Sequence, residues 1–460
     1  MLESNPLIKI GLEFTDTIKS MASWWRVRRR PTAAAILSLA LLLSVSASGE
    51  SPEWGKFQNG GDNSTEMKLP TEWSPEKNIA WTAEIEGYGQ STPIVAHDQI
   101  VVTSTSGDMK DNYHVISYAI RSGEKNWQVD LKNPSPFANT PMVSRAAPSA
   151  IATAEGFIAF FEGGVLAALA KDGSTLWQKD LVEIYGPIKA RHGLSASLEQ
   201  DRDHVFVWIE RGEEPYLLAL NKKSGEEIWK APGIGATSWS SPRMVGVGNS
   251  SHLVCSAIGK IVGYDPKTGE RLWELEDIAN NSSCTPTPVG DRQFLIGASN
   301  GRGETNPSAA AENNGLVEIK QDAGGAFSAA FKWRATKATS SFGSPVKAGD
   351  TAAIVNRTGV LYRLDLETGE QRSVDRTAAG GIWATPIVNG GLIYLFGYKG
   401  TTSVISLADG KEVAKNRCWA EGKDSPGFGG GSVLYAAAPA APYLIIRSGD
   451  KLYAIGSDES

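Results

Sequence analysis

The chain has 460 residues, of which 41% are hydrophobic, and a formal net charge of −6. The apolar content, which includes 14 tryptophans, is enough for a large buried core, and 49 glycines and 23 prolines favour an all-β fold with many turns. The body of the chain is mildly acidic and lacks basic blocks, which argues against nucleic acid as the main partner.

Residues 1–49 have the features of an export signal. Arginines at positions 26 and 28–30 precede an apolar run of 13 residues, Ala33–Val45, and small residues follow at 45–47. The run is shorter than the ~20 residues that span a bilayer. We therefore expect a signal peptide, with Met21 as a second candidate start and an uncleaved N-terminal anchor as the alternative. No Cys lies near the cleavage site for a lipid anchor, so we expect a periplasmic or extracellular bacterial protein without a membrane span after cleavage.

The next segment, residues 50–78, combines Trp54, Phe57 and Trp73 with polar residues and glycines. These aromatic side chains are expected to anchor an extended arm that wraps on the following domain. The segment is too short and too polar to form a domain of its own.

From residue 79 to 457 the sequence repeats. A Gly is followed four residues later by a Trp in the pairs Gly123/Trp127, Gly173/Trp177, Gly225/Trp229 and Gly269/Trp273. These tryptophans are 50, 52 and 44 residues apart, a spacing typical of propeller blades. In the best-preserved unit, Asp265 and Pro266 favour a turn, Gly269 supplies a positive φ, and Trp273 is expected to fill the gap between adjacent sheets. The turn recurs from Asp365 to Gly369, but Ser373 stands where the Trp is expected.

Two markers give the number of blades. The first is a small polar residue, often followed by Pro, before an innermost strand; it occurs at Ser91–Val95, Thr140–Val143, Leu194–Leu198, Ser241–Val245, Thr285–Val289, Ser344–Val346, Thr385–Val388 and Gly431–Tyr435. The second is the outer-strand position, held by Trp81, Trp127, Trp177, Trp229, Trp273, Trp333, Ser373 and Ala414. Trp81 lies in a lone strand before the first unit, which would complete the last blade and remove an exposed sheet edge. The sequence predicts an eight-bladed β-propeller closed by this N-terminal strand, with seven blades as the alternative.

The runs Ala-x-Asn at 219–221 and Gly-x-Asp at 263–265, each followed by Gly and then by Trp, resemble the repeat of quinoprotein-type propellers, named for pyrroloquinoline quinone. The resemblance covers roughly residues 79–456 and implies one of two branches. One branch comprises exported quinone-dependent dehydrogenases, which hold the quinone with calcium and carry a vicinal cysteine pair. The other is non-catalytic and includes the propeller lipoprotein of the outer-membrane β-barrel assembly machinery.

The cysteines favour the non-catalytic branch, since Cys255, Cys284 and Cys418 include no vicinal pair. Cys255 and Cys284 fall in neighbouring repeats, so they could form a disulfide or remain two buried free thiols. The missing lipid-attachment Cys argues against assignment to the assembly complex itself. We expect a scaffold without a cofactor that binds a protein or an extracellular polysaccharide, with an exported quinone-dependent alcohol or sugar dehydrogenase as the alternative.

Candidate binding residues immediately precede the innermost strands and should surround one end of the channel: Arg191, His192, Trp239, Phe342 and Trp383. In one interpretation they form a ligand floor, on which Trp239 or Trp383 stacks against a flat ring while Arg191 pairs with an anion. In the other, the aromatic side chains plug the channel and Arg191 is solvated. His192 is one of five histidines, and we expect a hydrogen-bonded core or rim residue rather than a general base, because a working base needs an orienting partner. The Gly- and Asn-rich segment 300–315 is a further candidate contact, or else a disordered insertion.

Overall fold

Antiparallel sheets make up nearly all of the computed structural model, which describes residues 54–140, 143–190, 192–210, 214–300, 307–340, 342–420 and 433–457. The expected signal peptide with Met21, and the candidate Arg191, lie outside the described residues. The described residues form eight sheets, each with at least four strands. This confirms the eight-bladed propeller and excludes the alternative of seven.

Within blades 1 to 7 the strands follow one another outward from the channel. Blades 1 and 2 contain Ile94–Ala96, Gln99–Ser106, Asn112–Ala119 and Lys125–Lys132, then Ile151–Ala152, Gly156–Phe160, Val165–Ala170 and Thr175–Asp180. Blades 3 and 4 contain Glu199–Gln200, His204–Ile209, Tyr216–Asn221 and Glu227–Pro232, then Arg243–Val247, Ser250–Ala257, Lys260–Tyr264 and Arg271–Leu275.

The remaining blades follow the same order. Blades 5 and 6 contain Thr287–Gly290, Gln293–Ile296, Gly315–Gln321 and Phe327–Arg334, then Val346–Ala348, Thr351–Val355, Val360–Asp365 and Gln371–Arg376. Blades 7 and 8 contain Ile387–Asn389, Leu392–Phe396, Thr401–Ser406 and Glu412–Arg417, then Leu434–Ala440, Tyr443–Ser448 and Lys451–Ile455. The short α-helices are Leu181–Tyr185 and Pro307–Ala311, and none among the described residues is long and apolar enough to cross a membrane.

The fourth strand of blade 8 comes from the N-terminal side of the propeller. Ile79–Glu84 pairs antiparallel with Lys451–Ile455, and Trp81 stands opposite Ala454. The two ends of the propeller sequence therefore share one sheet and close the ring. The assignment of an innermost strand to 140–143 was wrong, because that strand of blade 2 begins at Ile151, behind a long loop.

Burial on both sides explains the apolar runs of the middle strands. Val165–Ala170 of blade 2 is buried over five of its six residues, because a neighbouring blade covers each face of the sheet. The outer strand Thr175–Asp180 is largely exposed, and Trp177 is its main packing residue.

Among the six outer-strand tryptophans, all but Trp273 pack on the turn glycine of the next blade and not on the glycine of their own repeat, whereas Trp273 packs on Gly263 of its own blade. A Cβ added to Gly123 would lie no more than 3.0 Å from three ring atoms of Trp81. The Trp81 Nε1–H donates to the carbonyl of Ile120 in the same turn, at 2.9 Å. The same stacking joins Trp127 to Gly173, Trp177 to Gly225, Trp229 to Gly269, and Trp333 to Gly369.

The turns themselves depend on the predicted aspartates. The Asp265 carboxylate accepts from the backbone N–H of Lys267 at 2.7 Å, and that of Asp365 accepts from Thr368 at 2.8 Å. Gly269 has a φ of 74°, which a residue with a Cβ adopts only under strain. The turn therefore presents a flat glycine surface to the tryptophan of the preceding blade.

Candidate binding face

Hydroxyl side chains form a belt around one end of the channel. The belt has one hydroxyl residue from each of seven blades: Thr92, Ser149, Ser197, Ser241, Thr285, Ser344 and Thr385. In each of six consecutive pairs, the backbone N–H of the first residue donates to the side-chain hydroxyl of the second, over 2.9–3.1 Å. Most of them belong to the small polar residues that mark the innermost strands in the sequence. We call this end of the propeller the belt face, and every candidate site residue in the described part of the chain precedes an innermost strand here.

Residues 54–65 of the N-terminal arm run inside the channel. Trp54 is buried and forms a β-bridge with Val95 of blade 1, and the Gly55 carbonyl accepts from the N–H of Ala152 in blade 2 at 2.7 Å. Farther along, Ser64–Thr65 pairs in parallel with blade 7. The innermost strands have one unpaired edge, and the arm satisfies part of it. Residues 54–65 of the arm therefore fill the channel, whereas the buried Trp73, whose backbone N–H donates to Asn416 Oδ1 at 2.9 Å, anchors the rest of the arm on the outer strand of blade 7.

Gln58 crosses the middle of the channel and connects three blades. Its Nε2 donates to Thr385 Oγ1 at 2.6 Å and to Ser344 Oγ at 3.2 Å. Its Oε1 accepts from Arg243 Nη2 at 3.1 Å. Gln58 thus ties the arm to blades 4, 6 and 7 and adds a hydrogen-bond partner to polar side chains of each blade.

Arg243 and Glu199 form the charged part of the channel wall. Arg243 Nη1 lies 3.5 Å from a Glu199 oxygen and also donates to the carbonyl of Phe57 at 3.1 Å. Lys56 of the arm forms a second ion pair with Glu199. Burial lowers the pKa of the Arg243 guanidinium, and Glu199 opposes that shift. The arm therefore supplies partners to both buried charges.

The described residues do not fit a quinone with calcium in the channel. The polar groups that point inward, including those of Arg243 and Ser344, are bound to Gln58, so a flat cofactor would have to displace the arm. Nor do the described residues bring together three His, Cys, Asp or Glu side chains that could hold a metal ion. Within that part of the chain no disulfide joins Cys255 and Cys284, and both thiols are buried.

Above the arm, aromatic side chains cluster around Trp383. Its ring is stacked on Tyr398 at 4.8 Å between centroids, and Phe342 meets it edge-on at 6.0 Å. Tyr435 lies 6.2 Å from Trp383 on the side toward blade 8. Phe342 is 54% exposed, so its ring is accessible at the edge of this cluster.

The cluster continues to blade 1 through two tyrosines. The hydroxyls of Tyr435 and Tyr88 are 2.9 Å apart, and the Arg145 guanidinium lies 5.0 Å from the Tyr88 ring. Burial raises the pKa of Tyr88, and the neighbouring Tyr435 raises it further. We call the set Tyr88, Phe342, Trp383, Tyr398 and Tyr435 the aromatic arc. A cavity of about 70 Å³ separates it from the arm, with Gln58 in its lining.

The other two candidates in the described part of the chain form a separate pair. The rings of His192 and Trp239 are 6.1 Å apart. The Trp239 carbonyl accepts from Ser195 Oγ at 2.9 Å, which fixes the backbone here. The structure thus brings Phe342 and Trp383 together, and His192 and Trp239 together, as two groups on the belt face. Of the segment 300–315, residues 301–306 lie outside the described residues.

Sequence reasoning missed Tyr88, Tyr398, Tyr435 and Arg145. Tyr88 stands three residues before the Ser91 marker, and Tyr435 lies within the eighth unit, so a search of each marker's wider neighbourhood for aromatic residues would have included both. Tyr398 follows the second strand of blade 7. Its approach to Trp383 depends on the blade geometry and has no local signal.

Comparison with known proteins gives matches over most of the propeller. The family model described as outer membrane protein assembly factor BamB matches residues 71–184, 188–374 and 313–455. The outer membrane protein assembly factor BamB of Burkholderia pseudomallei is 24% identical over 299 residues, which is 63% of this chain and 66% of that protein. The protein of the same name from Moranella endobia is 26% identical over 42% of this chain and 51% of its own length. The matches thus span between half and two thirds of these relatives.

Solved structures share the fold at low identity. The structure of BamB from Moraxella catarrhalis has a TM-score of 0.55 at 14% identity and covers 83% of this chain and 98% of that one. The quinohemoprotein alcohol dehydrogenase from Comamonas testosteroni has a TM-score of 0.57 at 12% identity, over 93% of this chain and 85% of its own. These likenesses concern the fold alone, whereas the family model covers nearly the whole propeller. The chain therefore belongs to the family described as outer membrane protein assembly factor BamB.

Proposed function

We propose that this chain is an exported, non-catalytic scaffold that binds a protein partner through the aromatic arc of its belt face. The names of its relatives suggest outer-membrane protein assembly as the setting, and the signal-like N-terminus agrees with export. The main support is the position of the arm. Gln58 and its neighbours fill the channel where the dehydrogenase branch would need a cofactor, which supports a binding role for the aromatic side chains exposed on this face.

The aromatic arc has the composition of a protein-binding surface. Tyr and Trp are enriched at the energetic centres of protein interfaces, where their rings are desolvated and their polar tips find partners. Phe342 and Trp383 offer such a surface, and Arg145 adds a cation at its end. The cavity of about 70 Å³ beneath them is small for a cofactor but has room for one small side chain of a partner.

A capture experiment tests this proposal. The full chain, a Phe342→Ala/Trp383→Ala variant and a Leu176→Ala control are compared for the envelope proteins that each retains. Leu176 is 48% exposed on the outer strand of blade 2, away from the belt face. We expect the double variant to lose proteins that the control keeps. Equal retention by all three would contradict the proposal, and loss of a polysaccharide instead would favour a sugar-polymer binder.

The alternative, a quinone-dependent dehydrogenase, has its own test. Pyrroloquinoline quinone and Ca²⁺ are titrated into the purified chain while the absorbance and dye-coupled alcohol oxidation are followed. We expect no saturable binding because the arm holds the channel. A saturable complex that oxidises an alcohol or a sugar would replace the scaffold with the enzyme.

A further inference from the structure

A larger cavity, of about 420 Å³, lies between blades 1 and 2. It opens on the belt face, because its walls come from the loops at that end of the two blades. Pro136, Phe137 and Ile188 form apolar walls, and Phe137 is 52% exposed. A volume of this size is typical of sites that take a specific ligand or a large side chain.

The base of the cavity holds a buried ion pair. Lys110 Nζ lies 2.9 Å from Glu162 Oε1, and both side chains are at most 4% exposed. Lys110 also donates to the carbonyl of Ser144 at 3.0 Å, which fixes the ammonium. The backbone N–H of Ala146 approaches the same Glu162 oxygen at 3.4 Å.

The second oxygen of the Glu162 carboxylate, Oε2, accepts no hydrogen bond from the described residues. Tyr113 lines the same cavity. Tyr113 is held in place by stacking on Phe161 at 4.3 Å. Burial raises the pKa of Tyr113, and the Glu162 carboxylate raises it further, so the phenol stays neutral. A buried carboxylate oxygen without a donor is costly, and an occupant that supplies one gains accordingly.

We propose that this cavity binds a tyrosine or tryptophan side chain of the protein partner. The ring would pack against Phe137, Pro136 and Ile188, while its O–H or N–H reaches Glu162 Oε2. The inference rests on the proposed function only for the source of the side chain.

The charges at the base favour a neutral donor. Lys110 already neutralises Glu162, so a lysine or arginine from the partner would bring an uncompensated cation next to the exposed Lys189. A carboxylate would meet an acceptor at Glu162 and gain nothing there. A phenol or an indole combines the apolar body with one donor.

Binding of p-cresol, compared with 4-methylanisole, tests this chemistry. The two molecules share the ring and the methyl group, but the second has a methoxy group in place of the O–H. We expect p-cresol to bind about tenfold more tightly to the full chain in ligand-observed NMR titrations, since a hydrogen bond to a charged group contributes roughly that factor or more. Equal affinities, or no binding of either compound, would overturn the proposal.

Variants locate the probe and control for folding. Lys110→Met/Glu162→Leu replaces the pair by apolar side chains of similar size, a change that buried ion pairs commonly tolerate. This variant should bind both compounds equally. Phe137→Ala should weaken both by about fivefold through lost ring contact, whereas Phe342→Ala should change neither. A preference for p-cresol that persists without Glu162, or a response to Phe342→Ala instead of Phe137→Ala, would overturn the assignment.

The source of the side chain is tested separately. Phe137→Ala should also reduce retention of the protein that depends on Phe342 and Trp383 in the capture experiment. If the variant loses p-cresol but retains that protein as the wild type does, the occupant is a free aromatic molecule and the partner assignment is overturned. The proposed function would stand in that case, because its own test depends on the aromatic arc.

Discussion

The indole of Trp81 lies flat on Gly123 of the neighbouring blade and donates to the carbonyl of Ile120 at 2.9 Å. Trp81 belongs to the N-terminal strand that completes blade 8, and Gly123 closes a turn of blade 1. The contact therefore joins the last blade to the first. One strand, Ile79–Glu84, therefore supplies both the outer strand of blade 8 and the Trp81 side chain that packs against blade 1.

Substitution of Gly123 by Ala tests the contact between Trp81 and Gly123. The new Cβ would collide with the Trp81 ring and would also be strained by a φ of 69°. We expect the free energy of unfolding to fall by about 2–5 kcal/mol, from overpacking and from the left-handed backbone together. Urea titration followed by tryptophan fluorescence measures this.

Gly349→Ala is the matched control, because Gly349 has a φ of 62° and open space around the added Cβ. It should lose only the backbone part, about 1–2 kcal/mol. Equal losses of unfolding free energy in the two variants would show that the contact with Trp81 does not contribute to stability.

Arg363 replaces the missing tryptophan of blade 6. Ser373 occupies the Trp position of the outer strand, and Arg363 stands opposite it on the third strand. Arg363 Nη1 donates to the carbonyl of Leu407 in the turn of blade 7 at 2.8 Å, and the guanidinium lies against Gly410. We expect Arg363→Ala to cost about 2–3 kcal/mol, because it leaves buried acceptors without a donor.

The double variant Arg363→Ala/Ser373→Trp should restore part of this loss. In blades 1 to 4 and in blade 8 the residue opposite the Trp is small, as Ala219 is opposite Trp229. The double variant recreates that arrangement, and thermal melts would show whether its Tm exceeds that of the single variant. A Tm below that of the single variant would contradict the conclusion that Arg363 takes the place of the missing tryptophan.

These elements show what local signals could and could not predict. The turn aspartates, the positive-φ glycines and the tryptophan spacing are local, so the sequence predicted the blades and the closing strand. It paired each Trp with the glycine of its own repeat, whereas the structure pairs Trp127 with Gly173 of the next blade. The path of residues 54–65 depends on unpaired strand edges inside the ring, and no pattern within those residues reports that.

The hydrogen bonds of Gln58 to the channel wall predict the effect of Gln58→Ala. Loss of the amide leaves Arg243, Ser344 and Thr385 with fewer partners in a buried site. We expect the free energy of unfolding to fall by about 1–3 kcal/mol and the arm to become more sensitive to proteolysis. Gln128→Ala, which removes exposed hydrogen bonds to Glu86 and Asp130, should stay within about 0.5 kcal/mol of the wild type. A similar loss in both variants would contradict the role of Gln58.

His252 should make stability depend on pH. It accepts from Trp273 Nε1 at 2.9 Å, and burial lowers its pKa, although Asp265 partly opposes this shift and Arg292 reinforces it. The unfolded chain then binds a proton more readily than the folded one, so this contribution is present above pH ~6.5 and is lost as the pH falls toward the lowered folded pKa. The slope from one such group is at most about 1.4 kcal/mol per pH unit.

Unfolding measured between pH 5 and 7.5 in the wild type and in His252→Gln checks this, and the variant should show the flatter profile. His204→Gln serves as control, since His204 is a partly exposed partner of Asp201. An unchanged slope in His252→Gln would contradict the assignment.

A photo-crosslinking amino acid at position 342 tests partner binding by the aromatic arc most directly. p-Benzoylphenylalanine replaces Phe342 in one variant and Leu176 in another, both exposed in the structure, and the cells that make the protein are irradiated. We expect a discrete covalent adduct with a protein from position 342 and none from position 176. The same adducts from both positions, or none from 342 in a chain that binds pyrroloquinoline quinone, would contradict a scaffold that uses its belt face.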